Sequence, residues 1–144
     1  MLPAVNSDNY KHWTPVSLRY CDTDALGHIN NVAYCALFES GRAALLFDGI
    51  KAISPANTTF VIAALNISFR AEMGYPGTAD VGTRVKFFGR SSVQLEQAIF
   101  KDGVCSASAE STLVLIDENT RKPIPIPDTT RDEIQRRTQF ELVN

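Results

Sequence analysis

Residues 19–31 hold most of the polar side chains that could do chemistry. Two carboxylates, Asp22 and Asp24, are followed by His28 and by the paired amides of Asn30 and Asn31. A carboxylate can act as a nucleophile or as a general base. A helix that begins at the asparagines would present unpaired N–H groups, and about half a positive charge, to an oxygen on which negative charge develops. The spacing therefore indicates acyl chemistry, with an acid acting beside the amino end of a helix.

Each of these side chains also has a purely structural interpretation. Aspartates in turns commonly accept hydrogen bonds from their own backbone, so Asp24 stays open between catalysis and turn formation, and a turn or cap role is favoured for Asp22. His28 can orient a substrate or carry a proton, although a histidine packed beside a turn is more common. Asn30 or Asn31 is expected to cap the helix.

A mostly apolar segment predicts a helix over residues 32–50. Its apolar side chains point all round the axis, which predicts a helix enclosed by protein on every side. Glu39 would then be a buried carboxylate that has to be paired or protonated, with Arg42 as its i, i+3 partner. We favour this structural role, and a second catalytic carboxylate is the alternative. Gly49 predicts the end of the helix.

The remaining segments predict strands. Alternation of polar and apolar residues predicts one strand before the helix, over residues 14–20, and four after it, around residues 58–70, 79–89, 93–99 and 104–117. Short turns between the last four strands, including an Asp-Gly hairpin at 102–103, imply antiparallel neighbours. The fold class is therefore α+β, in one domain over residues 1–144 with its core at about 14–127. A charged segment from Thr129 is expected to form a final helical turn.

Composition excludes several classes of protein. A net charge of −2 gives no general attraction for nucleic acid or for an anionic membrane. No apolar run reaches the roughly 18 residues of a membrane span, and the amino terminus lacks the pattern of a signal peptide.

The cysteines Cys21, Cys35 and Cys105 are widely spaced, which argues against a disulfide framework and for the cytoplasm. No close Cys/His pair exists, so no metal site is expected, and a Cys21–His28 nucleophile is a minor alternative.

The order of elements and the stretch 20–31, Tyr-Cys-Asp-Thr-Asp-Ala-Leu-Gly-His-Ile-Asn-Asn, resemble the hotdog-fold acyl-CoA thioesterases of the 4-hydroxybenzoyl-CoA thioesterase type. The resemblance runs over about residues 14–127 and includes Tyr34, the helix segment 39–42, the corner 89–92 and the tail 122–125. The D-x-D-x-x-G-H-x-N-N block carries most of its specificity, because the strand pattern alone is common. The resemblance implies a five-stranded antiparallel sheet wrapped around a long central helix.

The resemblance also implies roles for individual residues around the loop. Asp24 takes the position of the catalytic carboxylate, as nucleophile or general base, and the backbone N–H of Asn31 takes that of the oxyanion donor. His28 and Asn30 would contact the substrate. Some members of the family carry a different catalytic acid on the helix, so a catalytic role for Glu39 stays open.

The corner is the second place where the resemblance implies substrate contacts. Arg90, Ser91 and Ser92 would meet the phosphates of coenzyme A, although the same residues could form a plain exposed turn. Coenzyme A is part of the substrate, and no separate cofactor is expected. Active sites of the family lie between protomers, and unpaired sheet edges favour pairing with a second copy, so we expect a homodimer that assembles further into a homotetramer.

Two other functions stay open. A hotdog dehydratase or hydratase also uses a carboxylate and a histidine on acyl thioesters. Those two groups must face opposite sides of a carbon–carbon bond, which Asp24 and His28 in one turn fit poorly. A non-catalytic module that binds acyl-CoA or a protein partner is the second alternative, and the presence of Asp24 speaks against it. The sequence does not specify the acyl group.

Overall fold

The computed structural model describes residues 2–139, so Met1 and residues 140–144 of the predicted domain lie outside the described residues. Its elements are β1 (His12–Ser17), α1 (Asn31–Leu46), β2 (Phe47–Asp48), β3 (Lys51–Ala52), β4 (Thr58–Phe69), β5 (Thr78–Phe88), β6 (Ser92–Lys101), β7 (Val104–Asp117) and α2 (Asp128–Thr138). Short 3-10 turns at Ser7–Asn9 and Tyr20–Asp22 precede and follow β1. No helix within residues 2–139 is long and apolar enough to cross a membrane.

Five strands form one antiparallel sheet in the order β1-β5-β6-β7-β4. Short turns join β5 to β6 and β6 to β7, and the second of these is the predicted Asp102-Gly103 hairpin. β1 and β4 form the two edges, paired with β5 and β7 respectively. The α+β class and the five-stranded antiparallel sheet with a packed helix are therefore confirmed. A separate two-stranded hairpin, β2 with β3, follows α1 directly.

α1 crosses one face of this sheet, mainly over β1, β5 and β6. The strands alternate, so every second side chain points toward the helix and is removed from water. The large side chains that this contact buries completely include Phe38, Leu45, Val81, Leu95 and Ile99. Each such side chain contributes roughly 1.5–3 kcal/mol of hydrophobic stabilisation, so the helix is held chiefly by this face.

The closest approach of helix and sheet is at Gly41. A Cβ added there would lie 2.7 Å from Val81 Cγ1 and 2.8 Å from Gln97 Nε2. Gln97 lies in the middle of the interface, only 1% exposed. Its Nε2 donates to Phe38 O at 3.0 Å, and its Oε1 accepts from Arg42 Nη1 at 3.3 Å. The buried amide therefore ties one turn of α1 to β6.

Gly41→Ala is expected to lower the free energy of unfolding by about 1–2 kcal/mol. Overpacking a core costs roughly 1–3 kcal/mol, whereas alanine gains at most about 1 kcal/mol over glycine in helix propensity. Urea titration at unchanged m value measures the difference. Gly74→Ala is the matched control, because nothing lies within 4 Å of a Cβ at that position. Equal stability of the two variants would contradict this account of the interface.

The carboxyl end of α1 differs from the prediction. The helix ends at Leu46 rather than near residue 50, and the Phe47 N–H donates to Ala43 O as its last helical bond. The chain then turns back through the β2–β3 hairpin, and the Ile53 N–H donates to Leu46 O at 2.9 Å. Gly49, predicted to end the helix, lies between the two short strands instead. Strand pairing takes the backbone groups that a further helical turn would have used.

The prediction that protein encloses α1 on every side is wrong for the single chain. The sheet covers one side of the helix, and the opposite side exposes Val32, Cys35, Ala36, Glu39 and Ala43. Glu39 is therefore not a buried carboxylate. Its expected partner Arg42 donates to Gln97 instead.

Two other boundaries differ from the sequence-based expectation. The first strand covers His12–Ser17 rather than 14–20, because the chain bends into the 3-10 turn Tyr20–Asp22. The final helical segment is a helix of 11 residues, α2, rather than a single turn. Ile134 of α2 is completely buried and anchors this helix against the core beneath α1.

Candidate active site

The loop between β1 and α1 is closed at its start by Asp22. One oxygen of this carboxylate, Oδ2, accepts from the Arg19 backbone N–H at 3.0 Å, and Oδ1 accepts from Arg19 Nη2 at 2.8 Å. The guanidinium hydrogen bond lowers the pKa of Asp22 and keeps the carboxylate charged. The Asp22 carbonyl also accepts from the Asn30 N–H at 2.8 Å, which draws the two ends of the loop together. Asp22 thus has the structural role that we favoured.

Asp24 forms the turn that was one of its two interpretations, and it keeps one carboxylate oxygen unpaired. Its Oδ1 accepts from the backbone N–H of Leu26 at 2.8 Å and of His28 at 3.2 Å, which forms the expected turn. Gly27 completes this turn with a φ of 83°, a conformation that favours glycine. Oδ2 of Asp24 has no hydrogen-bond partner in the described part of the chain. One oxygen therefore holds the loop, and the other is available for chemistry.

The amino end of α1 is capped by Asn30, whose Oδ1 accepts from the Val32 N–H at 3.0 Å. Asn31 is the first helical residue, and within residues 2–139 its backbone N–H makes no hydrogen bond. The first N–H groups of a helix lack intrahelical partners and lie at the positive end of its dipole. The Asn31 N–H is therefore a free donor of the kind that an oxyanion needs.

Asp24, His28 and Asn31 line one cleft of about 320 Å³. Its apolar wall is formed by Tyr34 and Phe69, whose rings meet edge to face at 5.2 Å. Burial raises the pKa of Tyr34, so its phenol stays neutral at physiological pH. The cleft thus places a carboxylate and an unpaired N–H beside an apolar surface, and in the single chain both Asp24 and Asn31 are exposed.

His28 lies at the edge of this cleft and pairs with Glu72. Its Nε2 lies 3.2 Å from Glu72 Oε2, and both side chains are partly open to solvent. A bridge between His28 and Gly74 and a bond from the Ile29 N–H to Met73 O hold the loop against the segment after β4. The contact joins the loop to the segment after β4 at a position where the Glu72 side chain is 77% exposed.

Seven cleft residues were absent from the sequence-based set, and Tyr34, Phe69 and Glu72 are among them. Tyr34 belongs to the motif that carried the family resemblance, so a signal for it existed. Phe69 and Glu72 come from the end of β4 and the segment after it, and only the tertiary fold brings them to the loop. Cys21 does not line the cleft, which leaves the Cys21–His28 alternative without support.

The corner residues Arg90, Ser91 and Ser92 do not join this cleft within one chain. Lys101, at the far end of β6, donates from Nζ to Gly74 O at 2.7 Å and so lies beside the loop. Ser92 begins the same strand, and its 10 residues at about 3.3 Å each separate the two ends by roughly 30 Å. A single protomer therefore does not bring the corner to Asp24.

A second cavity of about 380 Å³ lies on the opposite face of the sheet, under residues 2–9. Although it is larger, its charged groups already have partners: Arg84 Nη2 lies 2.7 Å from Glu96 Oε2, and Glu110 Oε1 lies 2.9 Å from Lys86 Nζ. Arg70 donates to Pro3 O at 2.6 Å. The smaller cleft, which holds the unpaired donor and acceptor, is therefore the better candidate site. In the part of the chain that the structure describes, no group of three or more His, Cys, Asp or Glu could hold a metal ion.

The sequence matches a family model and a named relative. The model of the thioesterase-like superfamily matches residues 18–135. A Bacillus subtilis (strain 168) protein with the provisional name acyl-CoA thioesterase YneP is 27% identical over 113 residues, which cover 76% of this chain and 82% of that protein.

Solved structures are similar over most of the fold. The PA5185 protein from Pseudomonas aeruginosa strain PAO1 is 29% identical with a TM-score of 0.77, covering 88% of this chain and 91% of that one. A thioesterase from Thermus thermophilus, crystallised with coenzyme A and Zn, is 26% identical with a TM-score of 0.76 and covers 88% of this chain and 98% of its own.

Asn30→Ala is expected to lower the free energy of unfolding by about 1 kcal/mol, because the N-cap hydrogen bond to the Val32 N–H is lost. Asn31→Ala is the matched control. Its side chain makes no hydrogen bond in the described residues, and the substitution leaves the backbone N–H in place. Thermal and urea unfolding of the two variants measure the contrast. A larger loss for Asn31→Ala would overturn the assignment of the cap.

Proposed function

The chain belongs to the thioesterase-like superfamily and is a thioester hydrolase, and from this premise we propose that it cleaves acyl-CoA to a free acid and coenzyme A at the Asp24 cleft. One observation carries the proposal. The free carboxylate oxygen of Asp24 and the free N–H of Asn31 line the same cleft, beside an apolar wall. On the D-x-D-x-x-G-H-x-N-N block we assign the chain to the 4-hydroxybenzoyl-CoA thioesterase type.

The Asn31 N–H and the Asp24 carboxylate have different roles in the proposed reaction. The thioester carbonyl oxygen accepts from the Asn31 N–H, where the helix dipole stabilises the charge that develops on it. Loss of one such donor typically raises a barrier by roughly 3–4 kcal/mol. Asp24 Oδ2 either attacks the carbonyl carbon to form a mixed anhydride or takes a proton from an attacking water. In both routes the C–S bond breaks and coenzyme A leaves as its thiol, and in the first route a water molecule then hydrolyses the anhydride to give the free acid and restore Asp24.

Two neighbouring residues are proposed to contact the substrate. His28 lines the cleft with its Nε2 3.2 Å from Glu72 Oε2, and we propose that the imidazole orients the acyl thioester. Asn30 does not line the cleft, and its side-chain oxygen is committed to the cap, so a substrate contact through its amide nitrogen stays a prediction. A dehydratase would need an acid and a base across a carbon–carbon bond. Asp24 and His28 are instead joined backbone to backbone in one turn, with the Asp24 N–H donating to His28 O at 2.8 Å.

A second copy of the chain is proposed to cover the exposed side of α1 and the edge strand β4. Val32 on α1 is 75% exposed, and Ile62 and Phe69 on β4 are 48% and 49% exposed. β4 also presents a row of unpaired backbone groups along 12 residues, a surface that proteins normally cover. Phe69 belongs to the cleft as well, so a partner on this side would also close the site.

We propose that the corner acts on the cleft of a neighbouring protomer in a tetramer. Arg90, Ser91 and Ser92 would there meet the phosphates of coenzyme A, because their own cleft is roughly 30 Å away along β6.

The three free thiols Cys21, Cys35 and Cys105 suit the cytoplasm as the compartment. The absence of a cofactor other than the substrate's own coenzyme A stays a prediction.

Asp24→Asn is expected to fold normally and to lose about 10²–10⁴-fold in turnover, the usual contribution of a general base. The asparagine oxygen can still accept from the N–H groups of Leu26 and His28, so the turn is kept while the reactive carboxylate is lost. Thiol release from a panel of short, long and aromatic acyl-CoAs measures the effect.

Glu39→Gln is the control for the rival acid on the helix. Glu39 is exposed and does not line the cleft, so this variant should keep the activity of the unmodified chain. Unchanged turnover in Asp24→Asn would remove Asp24 from the mechanism, and loss of turnover in Glu39→Gln would support Glu39 as a catalytic carboxylate. Silence of the unmodified protein across the whole panel would instead favour a binding module.

Mixed oligomers test the contribution of the corner. Arg90→Ala and Asp24→Asn are each expected to hydrolyse acyl-CoA poorly, the first through weak binding and the second through loss of the carboxylate. Co-expressed with different tags and purified as mixed oligomers, they should recover activity well above the mean of the two parents. An intact cleft in one protomer would then meet an intact corner from its neighbour. Activity at that mean would show that the corner does not act between protomers.

A further inference from the structure

We infer that Arg131 of α2 is a positioning residue that holds the corner 89–92 in the shape required to bind the phosphates of coenzyme A, an inference that rests on the proposed function. Its Nη2 donates to Gly89 O at 2.6 Å and to Arg90 O at 2.9 Å. Its Nε donates to Ile126 O at 3.0 Å, and its guanidinium lies 5.1 Å from the centre of the Phe88 ring. One side chain thus joins α2, the corner and the segment before α2.

The carbonyl groups of the corner are all occupied. Besides the two bound by Arg131, Ser91 O accepts from the Leu115 N–H and Ser92 O from the Gly89 N–H, both at 2.8 Å. Arg90 O also accepts from the Ile126 N–H at 2.9 Å. Each of these carbonyls therefore has a donor, and none has to face an approaching anion unpaired.

The donor groups of the corner are free by contrast. In the described residues, the backbone N–H groups of Arg90 and Ser91 make no hydrogen bond, and neither do the Arg90 guanidinium or the hydroxyls of Ser91 and Ser92. Free donors and occupied acceptors make a surface suited to a phosphate group. The arrangement depends on Arg131, because without it Gly89 O would have no donor and could turn toward the ligand, and Arg90 O would keep only the Ile126 N–H.

The position of Arg131 in α2 supports a role outside the helix itself. It lies in the first turn, where its N–H donates to Pro127 O, and a cation near the positive end of a helix dipole is unfavourable. The arginines Arg136 and Arg137 occupy the last turn, where the dipole favours them. Arg131 is therefore better explained by its contacts with the corner than by stabilisation of α2.

Arg131→Met tests this inference with two substrates. Methionine keeps an apolar stem over Phe88 but removes every donor. The KM for an acyl-CoA that the unmodified protein cleaves should rise about tenfold, as expected when a phosphate contact is lost, while kcat stays within about twofold. The S-acyl-pantetheine of the same acid lacks the nucleotide phosphates, so its kcat/KM should be unchanged. Arg131→Lys, which keeps the charge and some donors, should restore part of the acyl-CoA affinity.

Arg136→Met is the matched control on the same helix, because its guanidinium binds Glu133 and not the corner. If Arg131→Met does not fold, as judged by thermal unfolding, Arg131→Lys carries the same comparison. Equal losses with both substrates, or an unchanged KM for acyl-CoA, would overturn the positioning role. Failure of the unmodified protein to cleave any acyl-CoA would instead overturn the proposed function, so the two failures are distinguishable.

Discussion

The contact between Gly41 and the centre of the sheet sets the position of everything else in this molecule. A helix can slide along an apolar surface, since hydrophobic contacts have little directionality. The amide of Gln97 removes that freedom, because it is fully buried and must find partners at one place along α1. It finds them in Phe38 O and Arg42, and the missing side chain of Gly41 gives it room. The axial position of the helix, and therefore of its amino end, follows.

The position of that amino end determines what the loop can do. Asn30 connects the helix to Asp22 through its backbone and to Val32 through its side chain, so the loop and the helix are one rigid unit. Asp24 then uses Oδ1 for the turn and leaves Oδ2 free. A carboxylate can serve structure and chemistry together because its two oxygens are separate acceptors. This division explains why the structural and catalytic interpretations of Asp24 did not exclude each other.

Local features of the fold could be predicted from the sequence, and non-local ones could not. The helix cap and the Asp102-Gly103 hairpin depend on a few adjacent residues; the hairpin was predicted, and the cap was predicted at Asn30 or Asn31 and lies at Asn30. The end of α1 was not, because strand pairing of Phe47 with Ala52 overrides a helical pattern that would otherwise continue. The same holds for the bulge between Ile62 and Ala64 in β4, which is defined only relative to β7. The Asp24 turn was visible in the sequence, whereas the far wall of its cleft depends on tertiary contacts.

The exposed side of α1 carries the apolar residues behind the prediction that protein encloses this helix on every side. Val32, Ala36 and Ala43 are the residues that led to the expectation of an enclosed helix, and in the single chain they face solvent. Arg42 is only 8% exposed, and its hydrogen-bond partner is the Gln97 amide rather than a carboxylate. Burial lowers the pKa of Arg42. Removing a charge from water is costly unless an opposite charge lies near. The Coulomb attraction of Glu39 on the same helix partly offsets that cost, and it grows when water is excluded from this side. The proposed second copy would therefore account for two features of α1: its exposed apolar side chains, and the burial of Arg42 with a neutral amide as its hydrogen-bond partner. In the assembly of two copies, protein would enclose the helix.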